Sequence, residues 1–352
     1  VFALLDAPAA SSRYVARVTP IDVTIPVGQS SATQTVAVAD VTRAAIFFNG
    51  YTNDSAAGVN SEVYARVTLT NATTVTATRD PTASTINTTV KAVLVEFRAA
   101  LVDSVQYGTV ALSAIQTTNT ASITAVTAAR SAVLYLGQTT DNSSGGASAT
   151  TLTCSLDLTS STVVTTNRNT ASENVTVGFC VVQFASGTTT SVQQTTLTDT
   201  SSSASYTKTI TSVDAARALL LYNGATSANA SLLNAFHQTE LTNGTTVTLT
   251  RAGTSTSSRT VYFTVVEFAG GVLKSMQRNA TSCVSATSAS TSISAVGASA
   301  ALVGTWWLTS ATGATGATRQ TVRLANATTV TSERGVAGTN TNIYAWQVAE
   351  FA

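Results

Sequence analysis

Apolar residues along this chain fall in short runs rich in Val, Ile, Tyr and Phe, set between clusters of Ser, Thr, Asn and Gly. Runs of that kind read as one strand after another. In TTVTLTR, Val247, Leu249 and Arg251 share one face and Thr246, Thr248 and Thr250 the other, the period of a half-buried strand. No window places apolar residues at helical spacing with charge opposite, and a charged fraction of 10% leaves little from which to build such a face. The runs VKAVLVEF (90–97) and VYFTVVEF (261–268) are apolar on both faces, which predicts strands covered on both sides.

The pattern repeats. LTNATTVTATR (69–79) returns as LTSSTVVTTNR (158–168), LTNGTTVTLTR (241–251) and LANATTVTSER (324–334). Ahead of it stand TRAAIFFNG (42–50), ARSAVLYLG (129–137) and ARALLLYNG (216–224), with ASAALVGTWW (298–307) in the fourth place. Each copy closes on a phenylalanine, Phe97, Phe184, Phe268 or Phe351, and copies two to four open on SVQ, SVQ and SMQ at 104, 191 and 275. The predicted fold is all-β: four tandem antiparallel β-sandwich repeats of about 83 residues, at 17–98, 104–185, 191–269 and 275–352, behind an N-terminal arm at 1–16. Connectors this short predict stiff tandem packing of units that fold on their own after cuts near residues 100, 188 and 272. So small a unit buries a modest core and draws support from neighbouring units or subunits.

Composition narrows the function. A formal charge of +1 with no basic stripe argues against nucleic acid and anionic membrane as partners. Apolar runs fall well short of about 18 residues, so no membrane-spanning helix is expected. Cys154 and Cys180 lie on runs flanking the repeated phrase, and together with Cys283 they read as buried free thiols rather than a disulfide framework. The single histidine, His237, occupies a slot held by Ala65, Cys154 and Gln320 in the other copies, which suits a covered strand position better than catalysis. No nucleophile, phosphate-loop or metal-ligand motif is found, so no enzyme, no catalytic residue, no metal and no cofactor are expected. Asp40 and Asp214 precede Arg43 and Arg217 and read as turn caps.

Three groups stand out as candidate sites. Arg79, Arg168, Arg251 and Arg334 end the repeated phrase, and Glu96, Gln183, Glu267 and Glu350 precede the closing Phe; they read either as contacts between units or as solvated side chains. Trp306, Trp307 and Trp346 all fall in the fourth copy, as a glycan or interface contact or as core filling. The arm VFALL is too short to fold, and Phe2, Leu4 and Leu5 read as anchors that dock on a neighbouring subunit or particle protein by strand addition.

The units built from SVQYGTVAL, ASITAV, ARSAVLYLG, LTNATTVTATR and VVEF resemble repeats of bacteriophage virion proteins, in which small β-domains are strung along fibres, decoration proteins and tail tips. Their order of runs is also similar to the H-type lectin sandwich. The first resemblance implies a structural protein of a virion, assembled in the host cytoplasm and bound to itself and to other virion proteins. The second implies homotrimers and a host-glycan site, with an extracellular or cell-surface receptor-binding role as the alternative. A secreted surface-layer or filament subunit shares the low charge and high Thr content.

Overall fold

The structure is a computed structural model, and it describes residues 12–55, 60–80, 85–141, 149–310 and 315–352. The anchoring arm with Phe2, Leu4 and Leu5 lies outside the described residues. Strand occupies 60% of the described residues. The first copy contributes β1 (Val15–Ile25), β2 (Ser31–Thr35), β3 (Ala44–Asn53), β4 (Arg66–Asn71), β5 (Thr74–Thr78) and β6 (Thr88–Phe97). The second contributes β7 (Val102–Leu112), β8 (Thr118–Ser122), β9 (Ser131–Thr140), β10 (Ser155–Ser160), β11 (Val163–Asn167) and β12 (Val175–Phe184). The third runs through β13 (Thr189–Asp199), β14 (Ser205–Thr209), β15 (Ala218–Ser227), β16 (Gln238–Asn243), β17 (Thr246–Thr250) and β18 (Arg259–Phe268). The fourth ends the chain with β19 (Leu273–Val284), β20 (Ser288–Ser292), β21 (Ala300–Thr309), β22 (Thr321–Asn326), β23 (Thr329–Glu333) and β24 (Thr341–Phe351).

The repeated phrase is the hairpin between the fourth and fifth strands of each copy. Its Leu is buried at Leu69, Leu158 and Leu241. Its Asn closes the turn, because the side-chain oxygens of Asn71, Asn243 and Asn326 each accept a hydrogen bond from the backbone N–H two residues on, at 2.9 Å. The opening Gln has an equally local purpose. The side-chain amides of Gln106, Gln193 and Gln277 each bond both ways with the backbone of Thr124, Thr211 or Ser294, which pins the segment following the second strand. Asp40 and Asp214 cap the single-turn helices Val41–Arg43 and Ala215–Arg217, as their position ahead of an arginine predicts.

Within each copy the first, sixth and third strands form one antiparallel sheet, and the second, fifth and fourth form another. Four tandem sandwiches standing in a row do not result, and that expectation is corrected here. The second sheet of copy one continues through β4 and β9 into copy two, giving the order β2-β5-β4-β9-β12-β7. Copy two joins copy three in the same way through β10 and β15, and copy four returns to copy one through β22 and β3. Copies three and four abut without a bridge, leaving two three-stranded sheets beside the three six-stranded ones. The five small sheets stand in a propeller-like ring. The third strands are innermost: β3 touches β9, β9 touches β15, β15 touches β21, and β21 touches β3.

The ring explains the doubly apolar closing strands. β6, β18 and β24 are buried along almost their whole length, and neighbouring repeats of the same chain supply the second cover. The closing phenylalanines meet near the axis with centroids 5.7 Å apart for Phe97 and Phe351, 6.1 Å for Phe268 and Phe351, and 5.4 Å for Phe184 and Phe268. Each pair meets edge to face, the favoured geometry for such rings. One core cluster therefore draws on all four repeats. Among the described residues no helix is long and apolar enough to cross a membrane.

Candidate functional site

The four junctions between repeats differ, and the difference starts at one backbone position. Each innermost strand carries a bulge, occupied by Gly50, Gly137 and Gly224 with φ of 97°, 84° and 93°. At that bulge the fourth strand of another repeat comes close, pairing Thr321 with Gly50, Arg66 with Gly137 and Ser155 with Gly224. A Cβ there would lie 2.2 Å from the carbonyl oxygen of Gln320, 2.3 Å from that of Ala65 and 2.2 Å from that of Cys154. Glycine is required by both the positive φ and the approach. The equivalent residue of β21 is Trp306, with φ of 83°. The junction between repeats three and four, where this position carries a side chain, is the one at which β16 and β21 lie side by side without ladder pairing among the described residues.

Trp306 offsets its backbone strain in the core. Its indole stacks at 4.2 Å on Trp307 and at 4.5 Å on Tyr222, and Tyr135 meets it edge-on at 5.6 Å. Trp307 stacks on Phe236 at 5.3 Å and donates its indole N–H to the carbonyl of Thr318 at 2.9 Å. The Arg319 guanidinium lies over the rings of Tyr64 and Phe236, 4.5 and 4.6 Å from their centroids. Of the three tryptophans singled out in the sequence, Trp306 and Trp307 are thus an axial plug drawn from several repeats and offer no exposed ring to a ligand.

At each junction the fourth strand of one repeat also faces the sixth strand of the next, and the space between them is filled at two junctions and open at two. Between repeats one and two the Arg66 stem lies over Gly178, and the Tyr107 hydroxyl donates to the carbonyl of Ala44 at 2.9 Å. Between repeats four and one an ion cluster occupies the place: Lys91 meets Glu333 and, at 3.3 Å, Asp22, while Arg323 lies 2.8 Å from Glu333. Between repeats two and three a cleft of about 210 Å³ remains beside Asp157, Gln194 and Tyr262. The unbridged junction of repeats three and four holds a larger one, about 290 Å³, lined by Leu220, Glu240, Arg278, Asn279, Trp346 and Gln347 among others. Arg278 is held in place there: its Nε donates to Gln347 Oε1 at 3.2 Å and its Nη2 to the carbonyl of Ala218. Gln347 in turn bonds both the N–H and the carbonyl of Leu220 across the repeat boundary. Burial lowers the Arg278 pKa to about 10, which leaves it cationic at neutral pH.

The predicted arginines do not reach between units. All four are buried, and each ties loops of its own repeat. Arg168 donates to the carbonyls of Ser113, Gln116, Thr151 and Glu173, and Arg79 to those of Pro26, Gln29, Glu62 and Ile86. Arg251 holds Ser201, Ser203 and Ser255, and Arg334 holds Ala286, Gly338 and Asn340. The acidic partners are turn latches in the same sense. Glu96 accepts from the N–H groups of Ala39 and Asp40, Glu267 from Asp214, Glu350 from Gly297, and Gln183 from Thr127. Arg168→Ala strands four carbonyls, so it is expected to cost about 3–5 kcal/mol in urea unfolding. Arg168→Lys should recover little of this, since one ammonium cannot span the fork.

The three cysteines are free and buried. His237 is fully buried, its Nδ1 3.0 Å from the carbonyl of Ala235, and burial lowers its pKa to about 3. The folded ring thus stays neutral while the unfolded chain takes up a proton near pH 6.5. Stability is complete above 6.5 and falls as pH drops toward about 3, by at most about 1.4 kcal/mol per pH unit. His237→Gln should remove this histidine-dependent slope between pH 6.5 and 5, read from urea midpoints of the two proteins.

Sequence reasoning missed Glu240, Arg278 and Gln347, which come from three strands of two repeats and carry no local motif. The visible signal was the loss of the glycine in GTWW, where its siblings read FNG, YLG and YNG. No protein-family model and no curated protein matches the chain.

Proposed function

We propose that the chain is a non-enzymatic structural protein of a bacteriophage particle, a fibre or a capsid or tail decoration, that assembles with copies of itself. The supporting observation is the rim of the ring. β2, β8, β14 and β20 each end a sheet with alternating exposed and half-buried residues, and Lys208 is the one charge among them. Sheet edges are ordinarily blunted by charge, proline or bulges, whereas an uncharged edge is a template for pairing with another chain. Low overall charge favours the same close packing.

Sedimentation velocity at micromolar concentration tests the assembly. Oligomers are expected, and lysines placed at Thr120 and Ser290 on β8 and β20 should shift them toward monomer. A wild-type protein that sediments as a monomer would count against the assembly. Mass spectrometry of purified phage particles tests the location, and its absence from them would favour a surface-layer or filament subunit.

A further inference from the structure

We propose that the cleft at the unbridged junction of repeats three and four binds a single neutral sugar ring. The inference stands apart from the particle reading and rests on this cleft alone. Glu240 and Arg278 face it from β16 and β19, and both are half-buried. Neither forms an ion pair among the described residues, in contrast to the cluster of Lys91, Asp22, Glu333 and Arg323 at the junction of repeats four and one. The Glu240 carboxylate accepts from Gln238 Nε2 at 2.6 Å and Arg278 is held by Gln347 and Ala218, so the acid and the base line one cleft without closing on each other and each keeps hydrogen-bonding capacity for a guest.

The opposed charges decide the class of guest. An anion meets the Glu240 carboxylate, and a simple cation meets the Arg278 guanidinium. A neutral hydroxyl suits both, since it donates to a carboxylate and accepts from a guanidinium. The remaining lining is of the same character: the amide of Asn279 and the hydroxyls of Thr242 and Thr305 stand beside the apolar walls of Leu220, Leu241 and Trp346. A sugar ring presents hydroxyls at its edge and C–H groups on its faces, which matches polar groups converging on an apolar wall. At about 290 Å³ the cleft is at the lower limit of small-molecule sites, room for one ring. Arg278 is pre-positioned by Gln347 and Ala218, so little order is lost on binding. Among the tryptophans singled out from sequence, Trp346 alone lines the cleft, and its indole N–H is already held by Thr281 at 2.9 Å.

The test is saturation-transfer NMR on the full chain with neutral hexoses and N-acetylhexosamines as probes, and with free glycine as a zwitterion of small size. Transfer to the C–H protons of at least one sugar is expected. Glu240→Gln, nearly isosteric on a half-exposed strand position, should weaken that sugar at least tenfold with the urea midpoint unchanged. Asp157→Asn, in the smaller cleft between repeats two and three, should leave the affinity as it was. The proposal is overturned if no sugar in the panel receives transfer, if Glu240→Gln binds as the wild type does, or if glycine binds and competes while the sugars do not.

Discussion

A fragment spanning residues 191–270 is expected to be unfolded in isolation, while the intact chain unfolds in a single cooperative transition. Taken alone, the third copy has much of what a small β-domain needs, including six strands and a buried Arg–Asp pair between Arg259 and Asp199. In the ring, however, its inner strand β15 is bonded to β10 of the preceding copy, and Phe268 packs against Phe184 and Phe351 from two other copies. Cutting it out exposes Leu219, Leu221, Val266 and Phe268 together, which belong to the core cluster shared by all four repeats. Each such side chain loses about 1.5–3 kcal/mol of burial, in sum about 6–12 kcal/mol, comparable to the whole stability of an ordinary domain. Circular dichroism of the fragment and urea unfolding of the whole chain measure this. A fragment that folds with its own sigmoidal transition would restore the picture of independent units.

Replacing Gly224 by Ala is expected to be among the most damaging single methyl additions available. The new Cβ would sit 2.2 Å from the carbonyl oxygen of Cys154 and 2.9 Å from Cα of Ser155, both backbone atoms that cannot rotate away. The φ of 93° adds a strain of about 1 kcal/mol or more. Displacing β10 would also loosen the bonds that join repeats two and three, so a total near 3 kcal/mol or above is expected, with similar losses for Gly50→Ala and Gly137→Ala. Gly28 is the control: its φ is 75° but nothing lies within 4 Å of its Cβ position, so Gly28→Ala should cost only the strain. Equal urea midpoints for the Gly28 and Gly224 variants would sink the claim that close approach at the bulge sets the junction.

Much of the local structure was legible in the chain itself. A period of two in TTVTLTR, the Asn turn of the repeated phrase and the doubly apolar closing runs specify strand, hairpin and covered strand through contacts a few residues apart, and sequence order carries such contacts directly. The arginine at the end of each phrase was visible as a recurring feature. Its partners were not, because the carbonyls that Arg168 holds lie on three separate segments as much as 55 residues away. The tertiary structure alone decided that the copies close into one ring instead of standing in a row. That choice rests on Gly50, Gly137 and Gly224, whose missing side chains admit a strand from another repeat, and on four phenylalanines that only a closed ring brings to one axis. The cleft beside Glu240 and Arg278 has the same origin. It lies at the junction where Trp306 stands in the bulge that glycine fills elsewhere, and its lining from Leu220 to Gln347 is brought together by packing, not by neighbourhood in sequence.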